Sequence, residues 1–469
     1  MKRFFGIRSI LFAVVLLIAA LTSISWKFFP TSRAQAGTET YILTAPVWGP
    51  RQIEAVTAAG GTVTFGHDQA GVGMATSPNP GFLEQVLASN AITGAAVDQV
   101  VDWLPPNERV VENAVTAGDE TFINLQWNIK AVEAPGAWAA GFDGNGVRVA
   151  VLDTGMHTTH VDLVNNIDLA ASRSFVPGFN FNEDVGTFWH GTHVAGIVAA
   201  EDNGRGTIGI APRATIIAVK VLHNGSGSFG QIIGGLLYAS TPRSEGGAGA
   251  DIINMSLGAT FARGGGNTGA GLLVAALNKA VNFASQNTLV ISSAGNGALD
   301  LDHTESVITV PAQSGHGIAV SATGPFGFAV GYPNGATNFR RPASYTNFGS
   351  SAINIAAPGG DFALPGTALC SIPAVPGGSV TTQCWVFDMV ISPVRGSGAS
   401  TTTYAFAAGT SMAAPAAAGV AALIKQRFPG ISVGALKNKL ANSADDEGKL
   451  GHDPFYGRGF VNARRAVTE

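Results

Sequence analysis

Apolar and polar positions divide the chain into two stretches of different rhythm. In the first, Glu39 to Leu43, Gly61 to Phe65, Gly71 to Ala75 and Ala95 to Val101 alternate as strands do, whereas Gln52 to Ala59 and Asn79 to Ser89 carry helical spacing. The order βαββαβ predicts a small α+β unit of ferredoxin-like form. No residue set in it has catalytic character. The mixed polar stretch Pro105 to Asp119 then predicts a linker.

From about Leu125 the rhythm changes. Gly146 to Leu152, Ala214 to Leu222, Ile252 to Leu257, Leu289 to Ser293, Gly317 to Ala322 and Ser351 to Ala356 are near-continuous apolar runs, the mark of strands buried on both faces. Between and after them Ala134 to Ala140, His190 to Ala200, Gly230 to Ala239, Leu273 to Gln286, the Ala-rich run after Ser411 and Val433 to Ala441 read as helices. This alternation predicts an α/β domain with a mostly parallel sheet and helices on both faces. Sheets of that kind hold their sites at the carboxyl ends of the strands. Gly359 to Ser400 is Gly, Pro, Ser and Thr rich and predicts a long loop shaping the cleft next to Ser411.

Composition narrows the class. With 46% hydrophobic and 12% charged residues, 61 glycines in 469 residues and a net charge of −4, the chain has a buried core with many tight turns. No basic run offers a nucleic-acid surface. Lys2, Arg3 and Arg8 precede an apolar run from Ile10 to Ser23, and Ala34-Gln35-Ala36 supplies small residues for cleavage, so residues 1–36 predict a secretion signal. The run continues through Trp26, Phe28 and Phe29, which leaves a membrane anchor as the alternative. Secretion places the two cysteines, Cys370 and Cys384, in an oxidising environment, where they are expected to pair.

Three strings carry candidate chemistry. Val151-Leu152-Asp153-Thr154-Gly155 ends a strand in an aspartate. His190-Gly191-Thr192-His193-Val194-Ala195-Gly196 opens a helix with a histidine. Gly409-Thr410-Ser411-Met412-Ala413-Ala414-Pro415 delivers a serine to a buried helix. Each residue alone reads as a cap or turn residue; together they supply a nucleophile, a base and an orienting acid. A serine hydroxyl needs such a base, here His190, whose tautomer Asp153 would fix. The Ser411 backbone N–H and the Asn296 side chain, in the turn Ala294-Gly295-Asn296-Gly297, are the expected oxyanion donors. His193 follows His190 by one helical turn and reads as a packed residue, since no third metal ligand is evident. Asp162, Glu183, Asp184, Glu201 and Asp202 read as solvated surface, with calcium as the alternative. Met412 is an oxidation site if exposed.

These strings, with Gly209-Ile210-Ala211-Pro212, Val219-Lys220-Val221-Leu222, Asn254-Met255-Ser256-Leu257-Gly258, Ser344-Tyr345-Thr346-Asn347-Phe348-Gly349 and Ala356-Ala357-Pro358-Gly359, strongly resemble the subtilisin-like serine proteases. The order Asp, His, Ser is that of the family, and His160 and Asp162-Leu163 extend its aspartate motif. The resemblance implies a subtilisin-like fold and a secreted serine endopeptidase of broad, apolar preference, with a narrow processing protease as the alternative. It implies Asp153, His190, Ser411 and Asn296 as catalytic residues. Ser256, Leu257, Gly258, Ala294 and Gly295 would line the substrate site. It implies no cofactor for the chemistry and leaves a structural calcium ion open, its ligands unplaced. The first unit would be an inhibitor-type propeptide, giving a signal at 1–36, a propeptide at 37–105, a linker with the maturation cut at 106–121 and a catalytic domain at 122–469. The expected partners are protein or peptide substrates and the chain's own propeptide, with no nucleic acid, no stable membrane association and a monomeric state. Ala416 stands where the family usually has histidine.

Overall fold

The structure, a computed structural model, describes residues 37–104, 109–118, 121–186, 189–263, 269–335, 337–396, 398 and 400–469. The expected signal lies outside them. The chain divides after Thr38, and the fold is that of the unit Glu39–Glu469. Among the described residues no helix is long and apolar enough to cross a membrane.

The first elements are β1 (Glu39–Thr44), α1 (Pro50–Ala58), β2 (Thr62–His67), β3 (Val72–Ser77), α2 (Phe82–Ala88) and β4 (Gly94–Val97). The strands form an antiparallel sheet in the order β2-β3-β1-β4, the arrangement predicted from the sequence. Alternation along β1 sends Tyr41 and Leu43 to one face, where Val56 and Phe82 of the two helices close a core. Ile42 points to the other face and joins a different core.

The run Ala95 to Val101 is not one strand. After β4 the chain breaks at Asp98 and Gln99, and β5 (Val100–Asp102) pairs elsewhere, with β10 (Ser226–Ser228). The cause is Asp98, whose carboxylate accepts the Gly230 N–H at the start of the helix Phe229–Ser240. The expected linker also contains a strand. β6 (Arg109–Thr116) pairs antiparallel with β20 (Thr403–Ala408), whose other neighbour is β19 (Val390–Val394). Its β-branched residues favour a strand despite the polar flanks that hid it in the sequence.

The central sheet has seven strands in the order β16-β15-β13-β11-β7-β9-β8, all parallel. They are β7 (Arg148–Asp153), β8 (Arg173–Ser174), β9 (Thr215–Lys220), β11 (Ile252–Met255), β13 (Leu289–Ser293), β15 (Ile318–Thr323) and β16 (Ile355–Pro358). Successive residues of each strand serve opposite layers. Val149, Val151, Ile216 and Ala218 pack with α3 (His190–Ala199) and α6 (Thr410–Arg427). Ala150, Leu152, Ile217 and Val219 pack with α4 (Phe229–Ser240) and α5 (Ala270–Asn287). Ile42, Val72, Met74 and Ala96 of the small domain belong to this second layer.

The remaining strands are short pairs. β12 (Ala259–Ala262) lies against β14 (Val307–Val310). The stretch expected as an open loop instead holds the hairpin β17 (Leu369–Pro373) and β18 (Ser379–Gln383), and then β19 (Val390–Val394), which is buried throughout. Cys370 and Cys384 form the expected disulfide across the hairpin. The hairpin tip binds Thr121 through Val375, and Ser392 of β19 donates to the His193 carbonyl at 2.7 Å, so this segment supports α3.

Candidate active site

Three adjacent strands, β7, β11 and β13, bring Asp153, Ser256 and Asn296 to their carboxyl ends, and two helix starts bring His190 and Ser411. Asp153 is the last residue of β7 and is 1% exposed. Its Oδ1 accepts the Thr154 N–H at 2.7 Å and bonds His190 Nδ1, also at 2.7 Å. His190 opens α3 and is buried. A buried carboxylate on Nδ1 requires the proton there, which leaves Nε2 as the basic nitrogen.

Ser411 stands in the first turn of α6, just after β20. As the helix's second residue it has an N–H outside the helix's own ladder. Pro415 lies four residues on and has no N–H to give to the Ser411 carbonyl. That carbonyl instead accepts Ser256 Oγ–H at 2.7 Å, while Ser411 Oγ lies 3.4 Å from the Ser256 carbonyl. Asn254 Nδ2 in turn donates to Ser256 Oγ at 2.9 Å. Ser256 thus fixes the serine corner; the resemblance had pointed to it only as a lining residue.

Asn296 follows β13. Its Oδ1 accepts both the N–H of Thr410 at 2.9 Å and its Oγ–H at 2.7 Å. These two donors settle the amide orientation. Nδ2 is left buried with no hydrogen-bond partner among the described residues. Thr410 Oγ also accepts the Gly295 N–H at 3.0 Å, so the Ala294-Gly295 turn is tied to the serine helix. Ala294 and Leu257 are fully buried. Gly258 N–H donates to the Trp103 carbonyl at 2.9 Å.

One expectation changes. Asp162 and Asp184, read as surface, are 0% exposed. Burial pushes each carboxyl up to about 6. Asp162 survives inside because Asn203 Nδ2 and the Thr207 N–H bind it at 3.2 and 2.9 Å. Glu201 and Glu183 are likewise engaged, by Asn165 and Asn180. Oxygens occupied by donors do not fit a calcium site. Among the described residues no three His, Cys, Asp or Glu side chains converge as metal ligands. His193 is fully buried, bonds the Ala405 carbonyl through Nε2 and is pushed down to about 3 by burial. Met412 is buried too. The supporting roles of Thr154, Thr192, Lys220 and Thr410 were not foreseen; their place inside the quoted strings was the available signal.

A parallel α/β sheet thus brings together a buried acid–imidazole pair and a serine at a helix start. The comparisons name the family. Residues 144–459 match the model of the subtilase family, and the chain belongs to it. M-protease of Shouchella clausii (strain KSM-K16) is 36% identical over 346 residues, covering 73% of this chain and 70% of that protein. Subtilisin Savinase of Lederbergia lenta is also 36% identical, over 73% of this chain and 99% of its own. Among solved structures, the epidermin leader peptide processing serine protease of Staphylococcus aureus aligns with a TM-score of 0.69 at 19% identity, over 92% of this chain and 98% of that one. Fervidolysin of Fervidobacterium pennivorans aligns at 0.65 and 21% identity, over 92% and 61%. The chain is a subtilisin-like serine endopeptidase acting on protein or peptide substrates.

Proposed function

We propose that Asp153, His190 and Ser411 hydrolyse peptide bonds through an acyl-enzyme, in a secreted enzyme that removes its own propeptide. The observation that carries this reading is the buried 2.7 Å bond between His190 Nδ1 and Asp153 Oδ1. Ser411 Oγ attacks the carbonyl carbon while its proton passes to His190 Nε2. The oxyanion forms against Ser411 N–H and Asn296 Nδ2. Collapse breaks the C–N bond, and the proton on His190 goes to the leaving amine. Water then attacks the ester and gives a proton to His190, which returns it to Ser411 as the acid leaves. The chemistry calls for no cofactor.

The propeptide role of residues 37–105 rests on how the small domain ends. β5 lies antiparallel along β10, and Trp103 is fully buried beside it. The Trp103 indole donates to the Gly227 carbonyl at 2.9 Å and meets Phe229 edge-on at 5.0 Å. The Trp103 carbonyl takes the Gly258 N–H, from the segment expected to pair with substrate backbone. The chain thus lays its own peptide where a substrate would lie, with a large aromatic side chain in an apolar pocket. This supports both inhibition and an apolar preference, with Ser256, Leu257, Gly258, Ala294 and Gly295 along the cleft. The maturation cut falls within 106–121, residues 1–36 are the signal and the mature enzyme is a monomer.

Hydrolysis of an unfolded protein tests the reading. The wild type should degrade it broadly, and His190→Ala and Ser411→Ala should not. A wild type that matures but spares unfolded protein is the narrow processing enzyme instead.

A further inference from the structure

Behind the Asp153–His190 pair lies a buried polar layer that the reaction does not use. Asp184 is at its centre. Its Oδ1 accepts Thr154 Oγ–H at 2.7 Å, and its Oδ2 accepts the Thr192 N–H at 2.9 Å and the Thr192 hydroxyl. Thr154 adjoins Asp153. Thr192 is two residues past His190.

The start of α3 explains why such a brace is needed. The residue before His190 is Trp189, held at φ +53° with no side-chain cap. The first N–H groups of the helix therefore need other acceptors. Thr154 Oγ takes the Gly191 N–H at 3.0 Å, and Asp184 takes that of Thr192. The strand carrying the acid and the helix carrying the base are thus stitched together through one carboxylate. The backbones touch as well. A Cβ on Gly191 would lie 2.0 Å from the Gly155 carbonyl oxygen.

Lys220 closes the layer from below. It is 0% exposed, and its ammonium donates to the carbonyls of Glu183 at 3.0 Å, Leu222 at 2.9 Å and Thr154. It therefore pins the residue before Asp184 to the residue after Asp153. Burial holds the Lys220 ammonium below its ordinary value, against the pull of the Asp184, Asp153 and Glu183 carboxylates. Lys220 and Asp184 spend their hydrogen bonds on backbone groups and threonines of the elements that carry the acid and the base, which is a geometric role.

We propose that Asp184, anchored by Lys220, is a positioning residue that sets the Asp153–His190 distance and the imidazole orientation. This rests on the reading of Asp153, His190 and Ser411 as the triad. The role is mechanical and electrostatic: Asp184 touches no reacting atom. Lost alignment of a proton-transfer pair lowers kcat more than it changes substrate binding.

The test uses the full chain, with a trace of wild-type enzyme added to complete maturation. Active sites are titrated with an organophosphate that phosphorylates the serine with loss of its leaving group, so that misfolded molecules are not counted. Asp184→Asn keeps one acceptor and puts an NH2 in place of the other; Asp184→Ala removes both acceptors. We expect kcat per titrated site to fall about 10-fold and about 100-fold respectively, with KM within about twofold. The low-field NMR proton of His190 Nδ1–H should shift or broaden in both, and Lys220→Met should follow Asp184→Asn. Glu201→Gln, an exposed-side control, should match wild type. Unchanged kcat per site in a titratable Asp184→Asn, or an unmoved Nδ1–H signal, would overturn the positioning role. If His190→Ala or Ser411→Ala kept activity, the triad reading itself would fail, whatever Asp184 did.

Discussion

The two sheets of this molecule solve the same problem differently. The seven-stranded sheet covers both of its faces with its own helices: α3 and α6 on one side, α4 and α5 on the other. The small sheet covers only one. Tyr41, Leu43, Ala75 and Ala95 pack under α1 and α2, while Ile42, Met74 and Ala96 finish their burial against the large domain. Ile42 and Met74 meet α4 at Gly230, Asp98 holds that helix's first turn, and Lys279 of α5 donates to the Ala45 carbonyl at 2.8 Å. A domain whose second face is apolar and borrowed is stable docked and exposed once released. The proposed propeptide role asks for such a domain, held while docked and released afterwards.

The largest expected effect lies wholly in the large domain. Asn296→Ala removes the unpartnered amide and should cut kcat by about 10²–10³ with little change in KM. It also removes the acceptor for Thr410, so a wild-type melting temperature is the control that assigns the loss to catalysis. A loss of less than tenfold would dismiss Asn296 as an oxyanion donor.

A smaller effect belongs to the junction. Trp103→Ala should weaken the hold of the small domain on the matured enzyme by about 30-fold, the scale of a buried tryptophan at an interface, and leave kcat of the freed enzyme unchanged. Co-elution of the two pieces and the lag before activity appears would report it. Equal retention would mean that Trp103 is a passenger and that β4 and the borrowed face carry the docking.

The smallest is a pH effect. His67 of the small domain packs edge-on against Phe283 of α5, with ring centroids 4.4 Å apart. Burial there holds its imidazole below the ordinary 6.5, against the pull of Asp68 and Glu245. The docked form therefore binds a proton less readily than the free form. Docking is at full strength above the free value and weakens as pH falls below it. Release of the small domain should speed up less than tenfold between about pH 7.5 and 5.5, and His67→Gln should flatten that dependence. A slope unaltered by the substitution would place the titrating group elsewhere.

Much of the large domain could be read from the chain because its signals are local. A strand such as Val149-Ala150-Val151-Leu152 is apolar on every residue, whichever neighbours it meets. Asp153, His190 and Ser411 sit in strings whose glycines and small residues announce them. What could not be read depends on distant partners. Asp98 breaks the last strand of the small domain because a helix start 132 residues away needs an anion. Asp184 looked like one more surface acid because Thr154 and Thr192, which allow its burial, lie in other motifs. Buried β19 was hidden in a Gly- and Pro-rich stretch whose turns dominate its composition. The alternation along β1 was legible, yet what would cover its Ile42 face was not.

The most direct measurement is the intact mass of the chain expressed without residues 1–36, beside its Ser411→Ala form. The account predicts that the wild type loses a piece running from residue 37 to a point within 106–121, and that the Ser411→Ala chain stays whole with its small domain bound. A Ser411→Ala chain cut at the same place and rate would contradict it, since the bond would then be broken by something other than this serine.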